Sequence, residues 1–247
     1  MRKYSFVGLT FLISVWSILS YGSKVDRLLL PQPQDVLIYL FNGFFIKGFF
    51  ITPLAETLKL ILASFIFGSI VGIICGMIAG YYEKIYKSFE LILDFFRSLP
   101  SLLLIPLSIL LFGIGQFSSF FVISWSVFVY SFINAAYGVR YSKTSYFDIG
   151  KLYNISKLQE FMWIILPSTL PSIFAGVKMG FSIALIVTIG SEMLSGHQGL
   201  GGRVVDAYMV YNTKEVFSII VTVGSLGYLG SKLFDLIESK VVHWRGN

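Results

Sequence analysis

Apolar residues in this chain gather into long runs separated by short polar stretches. A helix needs about 20 mostly apolar residues to cross a hydrocarbon core of about 30 Å. Runs of near that length lie at about 6–20, 57–82, 99–114, 117–139, 172–194 and 216–237. The pattern predicts an all-α membrane protein with about six transmembrane helices. Residues 1–55 would supply the first helix and an extracytoplasmic connection, broken by Pro31-Gln32-Pro33. Residues 56–247 would form a five-helix core with a cytoplasmic loop at 140–171.

Details within the runs sharpen this picture. Met1-Arg2-Lys3 ahead of the first run is also the start of a signal peptide. No small-x-small cleavage site is clear in Leu19-Ser20-Tyr21-Gly22-Ser23, so a retained helix is expected. Gly68, Gly72, Gly76 and Gly80 recur every fourth residue in the second run, which puts them on one helix face as a packing seam. Gly176, Gly180 and Ala184 repeat that spacing in the fifth. Between the second and third runs, charged Glu83, Lys84, Lys87, Glu90, Asp94 and Arg97 interleave with apolar residues at helical spacing. This reads as a helix on the membrane surface. Pro100 can sit in the first turn of the third helix, and Pro106 is expected to kink it. The short turn at Gly113-Ile114-Gly115-Gln116 returns the fourth helix antiparallel to the third.

Composition agrees with the pattern. Apolar residues make up 55% and charged residues 13% of the chain, against roughly 25% charged in soluble domains. The mean hydropathy is +0.78. The net charge of +6 forms no basic stripe, which argues against nucleic acid as a partner. The basic residues sit between the apolar runs instead. With the N-terminus inside, Arg2, Lys3, Lys84, Lys87, Arg97, Arg140, Lys143, Lys151, Lys157, Lys240 and Arg245 are cytoplasmic. Lys24, Arg27, Lys47, Arg203 and Lys214 are outside. The positive-inside rule then places both termini in the cytoplasm. Cys75 is the sole cysteine, and His197 and His243 stand far apart, so no metal site is readable.

Two ionisable residues fall within the fifth run. Lys178 and Glu192 are 14 positions apart, about 21 Å along a helix, and cannot pair with each other. Lys178 is expected to snorkel to the cytoplasmic surface. Glu192 fits either the translocation pathway or its gate, or a structural pair with a neighbouring helix.

The loop before the fifth run is the most specific signal. Asp148-Ile149-Gly150, then Asn154, then Ile164-Ile165-Leu166-Pro167, resembles the loop signature of ABC importer permeases. That signature reads Glu-Ala-Ala, three residues, Gly, nine residues, Ile-x-Leu-Pro. Its end matches fully at Ile164, Leu166 and Pro167, while its front half keeps only the carboxylate, at Asp148. Asn154 replaces glycine, and both residue types tolerate the left-handed turn conformation. The wider chain resembles the nitrate, sulfonate, taurine and bicarbonate importer subfamily. The resemblance runs through Arg97-Ser98-Leu99-Pro100, Phe112-Gly113-Ile114-Gly115, Leu166 to Pro171, Glu192-Met193-Leu194 and Gly199-Leu200-Gly201.

The resemblance implies a MetI-like, type I permease in a bacterial inner membrane, working as a pair of permease subunits. An extracytoplasmic binding protein would deliver a small solute. Separate ATP-binding subunits would carry ATP and magnesium, with no cofactor on this chain. A coupling helix over 148–160 would meet the ATPase, with Asp148, Gly150, Asn154, Leu158 and Pro167 carrying the contact. A carboxylate at Asp148 suits a helix start. The chain contains no Gly-rich phosphate loop ending in Gly-Lys-Ser/Thr, so it should not hydrolyse ATP by itself. Two other classes compete. A membrane-embedded enzyme would cluster His, Asp, Ser or Glu at membrane depth, whereas Glu192 stands nearly alone. A secondary transporter driven by an ion gradient would favour internal repeats or broken helices, and neither is visible in the sequence.

Overall fold

The computed structural model describes residues 2–22, 29–152, 155–196 and 199–243, and among these the side chains other than those at 2–6, 9 and 143–152. The described residues are helical in all their regular elements. Long spans are α3 (Ile51–Tyr81), α6 (Gln116–Leu152), α8 (Leu166–Ser195) and α10 (Thr213–Val241). Each includes a segment long and apolar enough to cross a membrane, the α8 segment beginning upstream at Lys157. Helix α4 (Glu83–Ser98) and the apolar segment Ser101–Phe112, which contains α5 (Leu104–Phe112), form a pair bent by 88°, the shape of a broken span or of a re-entrant loop. The N-terminal α1 (Arg2–Gly22) contributes a shorter apolar stretch, Thr10–Gly22.

The seam glycines explain how the core closes. They face α6, and a Cβ at Gly68, Gly72, Gly76 or Gly80 would lie 2.4–2.7 Å from the carbonyl oxygen of Ser124, Phe128, Phe132 or Ala136. Both partners advance four residues per step, so α3 and α6 run parallel with their backbones in contact. Little hydrophobic drive separates helix from lipid, and close backbone approach supplies dispersion contact instead. The opposite side of α6 receives α8. A Cβ at Gly176 would meet Asn134, and Gly138 of α6 lies against Thr169 and Ser172. Helix α6 is thus the central post, with Val122, Ile123, Val127, Ala135, Ala136 and Val139 all buried.

Several expectations change. Helix α3 begins at Ile51 rather than Thr57, because Pro53 fits its first turn, where N–H groups lack intrahelical partners. Pro106 also sits in a first turn, that of α5, and does not kink a longer helix. The break lies upstream, where Leu99 is extended ahead of Pro100 (φ −78°, ψ 131°). Helix α4 does not lie on the surface. Leu93 is buried with Ala79, Phe132 and Ala136, so α4 packs into the span layer. The connections at 22–55 and 195–215 contain helices too short for the run-length criterion: α2 (Pro33–Phe41) and α9 (Leu200–Met209).

Candidate functional site

The end of the bundle where α3 starts and α8 finishes is organised around two carboxylates. Glu192, near the end of α8, is 2% exposed. Thr57 of α3 donates its hydroxyl to both Glu192 oxygens at 2.8 and 3.0 Å, and the Gly201 N–H donates to Oε2 at 2.8 Å. Thr57 in turn accepts from the Leu200 N–H at 2.8 Å. Glu192 therefore supplies an acceptor to the first turn of α9, where backbone donors are free and the helix dipole is positive. The glycines at 199 and 201 leave room for it: a Cβ at Gly199 would fall 2.1 Å from Glu192 Oε1. Gly196, left-handed at φ 67°, ends α8 and starts the turn. A cavity of about 320 Å³ opens beside this knot, lined by Glu56, Gln116, Ser195 and one side of Glu192.

The second carboxylate, Glu215, stands in the first turn of α10. It accepts from Tyr39 Oη at 2.7 Å and Asn212 Nδ2 at 3.0 Å, and it pairs with Arg203 of α9. Burial pushes the Tyr39 hydroxyl above its ordinary value, and its bond to the Glu215 carboxylate pushes the same way. Ser218 adds a bond to the Val36 carbonyl of α2 at 3.3 Å. Trp16 of α1 donates to the Pro31 carbonyl at 3.1 Å and stacks on Phe217 of α10. These contacts fasten α1, α2 and α9 to the start of α10.

At the other end, α6 runs unbroken through Leu152. The backbone of Asp148 and Gly150 lies inside that helix rather than at a helix start; their side chains, and Asn154, lie outside the described residues. The next helix starts later. Ser156 caps α7 (Lys157–Glu160) in a reciprocal box: the Gln159 N–H donates to Ser156 Oγ at 3.3 Å and the Ser156 N–H to Gln159 Oε1 at 3.0 Å. A wide turn over Phe161–Ile165 leads into α8, with Pro167 at its start. Thr169 Oγ1 donates to the Ile165 carbonyl at 2.6 Å and Ser168 Oγ to the Ile164 carbonyl at 2.6 Å. Leu158 is exposed at the rim of an apolar groove of about 650 Å³, between α7 and the C-terminal end of α3 (Met77, Tyr81).

The structure therefore brings Glu192 together with the Gly199-Leu200-Gly201 segment but keeps both far along α8 from Pro167. It also places residues that the sequence left unassigned. Thr57 gave no signal, since its partner lies 135 positions away. Asn212 and Glu215 did carry one: Asn-x-x-Glu ahead of an apolar run is a helix-start pattern. Lys178 does not simply snorkel. It forms an ion pair with Asp235 of α10.

Comparison with known proteins gives a consistent picture. The family described as binding-protein-dependent transport system inner membrane component matches residues 68–243. The nitrate import permease protein NrtB of Leptolyngbya laminosa is 27% identical over 94% of this chain and 84% of its own length. SsuC of Bacillus subtilis, a candidate aliphatic sulfonates transport permease, is 25% identical over 96% of this chain and 85% of its own. An inward-facing structure of the MetNI methionine ABC transporter contains a chain that superposes with a TM-score of 0.68 at 19% identity. That match covers 78% of this chain and 95% of the other. It establishes a shared fold.

Proposed function

Because the chain belongs to the binding-protein-dependent transport system inner membrane components, as an ABC importer permease, we propose that its cargo is a small oxyanion of the nitrate or sulfonate class. The observation that carries this is the similarity, over about the whole chain, to permeases named for nitrate and for aliphatic sulfonates. An extracytoplasmic binding protein delivers the anion, and two copies of the permease enclose its path. ATP and magnesium bind separate subunits. Those subunits dock at the inner end, where the Asp148–Pro167 segment turns from α6 into α8 and Leu158 stands exposed. Both termini lie in the cytoplasm.

Reconstitution tests the reading. Proteoliposomes holding the chain, its ATP-binding subunit and its binding protein should accumulate labelled nitrate or an alkanesulfonate only with ATP inside the coupling compartment. Uptake of neither anion class, with uptake of a neutral or cationic solute instead, would overturn the substrate assignment. Asp148→Lys combined with Asn154→Val should preserve insertion but abolish stimulation of ATP hydrolysis by the loaded binding protein. Normal stimulation in that variant would overturn the docking assignment.

A further inference from the structure

Helix α4 carries five charged residues on one face. Glu83, Lys87, Glu90, Asp94 and Arg97 follow one another at intervals of four, three, four and three, so they stack along the helix as a single stripe. All five are exposed in the chain. Glu83 pairs with Lys87 at 2.9 Å and Asp94 with Arg97 at 3.0 Å, each pair remaining more than half exposed. A different exposed face of the same helix is apolar, with Leu91, Ile92 and Phe95.

The contacts of α4 fix its depth. The Tyr86 ring lies under Arg140 of α6 at 4.1 Å. Leu93 is buried against Phe132 and Ala136. The Phe96 ring meets Trp125 at 4.9 Å. The α6 partner thus moves from 140 to 125 while α4 advances ten residues, a climb of about 15 Å at helical rise. Trp125 adjoins Ser124, which meets Gly68, two residues past the middle of α3. Arg97 therefore sits near the middle of the span layer, at the 88° break between α4 and α5. Lipid can solvate Leu91, Ile92 and Phe95 but not a stripe of five charges.

We infer that the charged face of α4 borders the water-filled path through the assembled permease, with Arg97 at the α4–α5 break as the anion contact at mid-membrane. This rests on the anion reading above. Arg97 offers a planar fork of donors that matches an oxyanion. Asp94, one turn below, competes for the same guanidinium. That competition keeps the anion's hold weak enough for release, as a conduction site requires.

Thiol labelling tests this without knowing the natural cargo. In a Cys75→Ser background, single cysteines replace Glu90 and Ser98 on or beside the stripe, and Ile92 and Phe95 on the apolar face. Membranes containing the chain with its partner subunits are treated with a sulfonatoethyl or a trimethylammonioethyl thiosulfonate reagent. Both stripe positions should react and both apolar positions should not. At Ser98→Cys the sulfonate reagent should lead the cationic one by about tenfold, the scale on which a charged cleft concentrates a counter-ion. That lead should survive Arg97→Lys and vanish in Arg97→Gln. An unreactive stripe would overturn the inference, because those charges would then be covered by protein. A preference unchanged by Arg97→Gln would overturn the role of Arg97. Failure of anion uptake with stripe labelling intact would strike the cargo assignment alone.

Discussion

Helices α3 and α10 both cross the membrane, yet they are held in opposite ways. In the most apolar window of α3, 44% is buried within the chain; in that of α10 it is 11%. Helix α3 meets α6 along backbone, with glycine at four successive steps of the seam. Helix α10 is tied near its two ends by charged side chains, Glu215 to Arg203 and Asp235 to Lys178. Backbone contact falls off steeply with distance and fixes one geometry. An ion pair tolerates sliding and exchange of partners. The difference leaves α3, α6 and α8 as the tighter group, on which α10 packs less deeply, with Phe234 against Phe65 and Phe181.

The seam should be the harder of the two to break. Gly76→Leu would place a side chain where a Cβ alone lies 2.4 Å from the Phe132 carbonyl oxygen. The α6 backbone cannot yield without disturbing α8 behind it. We expect a loss of about 3 kcal/mol, with a sharply lower melting temperature in detergent. Gly72→Leu should behave alike. Phe67→Leu, on an exposed part of α3 where the ring tilts against Phe120, should cost about 1 kcal/mol or less. Equal melting temperatures for the glycine and phenylalanine variants would remove the seam as the source of rigidity.

That seam was legible because spacing alone puts four glycines on one face. Its partner was not, since backbone carbonyls at 124, 128, 132 and 136 carry no side-chain signature. The run-length criterion found the long spans and missed α2 and α9, which are too short to meet it. It also misplaced α4, whose charged stripe looks like a water-facing surface until the burial of Leu93 shows where the helix lies. The loop motif located the turn between α6 and α8 through Ile164, Leu166 and Pro167. The helix start within it lies at Ser156, whose cap is written as Ser-x-x-Gln, not at Asp148. Glu192 was conspicuous as a charge in an apolar run. Its partners come from α3 and the start of α9, and such long-range pairing is invisible to periodicity.

The tie at the start of α10 should rank second. Glu215→Leu removes the shared acceptor of Tyr39, Asn212 and Arg203 and leaves their donors half-buried. A cost of about 2 kcal/mol is expected. Glu215→Gln should lose less, because the amide oxygen still accepts. If the leucine variant melts with the parent, α10 is held by something other than this cluster.

The same cluster gives α10 a pH dependence that the seam lacks. The folded state raises the Tyr39 value above the ordinary 10.0, chiefly through burial. A group raised on folding stabilises the protein below its unfolded value and loses that contribution as pH rises through the folded one. Melting temperature should therefore fall more steeply above pH 10 in the parent than in Tyr39→Phe. The phenylalanine variant should start lower, for want of the hydroxyl's bond to Glu215, and the two curves should converge at high pH. Parallel curves would mean that Tyr39 ionises alike folded and unfolded.

The Lys178–Asp235 tie should have the smallest effect on stability and the clearest pattern. Lys178 and Asp235 are each more than one-third exposed, so solvent screening keeps the contribution of their pair small. Lys178 nevertheless lies 12 residues into α8, about 18 Å along its axis, where an uncompensated charge is unfavourable. Removing one partner therefore does two things: it breaks the pair and strands the other charge. Lys178→Met leaves Asp235 with only Lys232, 4.0 Å away, and Asp235→Leu leaves Lys178 with no carboxylate within salt-bridge distance among the described residues. Lys178→Met combined with Asp235→Leu strands neither at that junction. The double variant should melt closer to the parent than either single one does. Strictly additive losses would show that the two side chains do not hold α8 to α10, and the contrast between a backbone seam and an electrostatic tie would then rest on Glu215 alone.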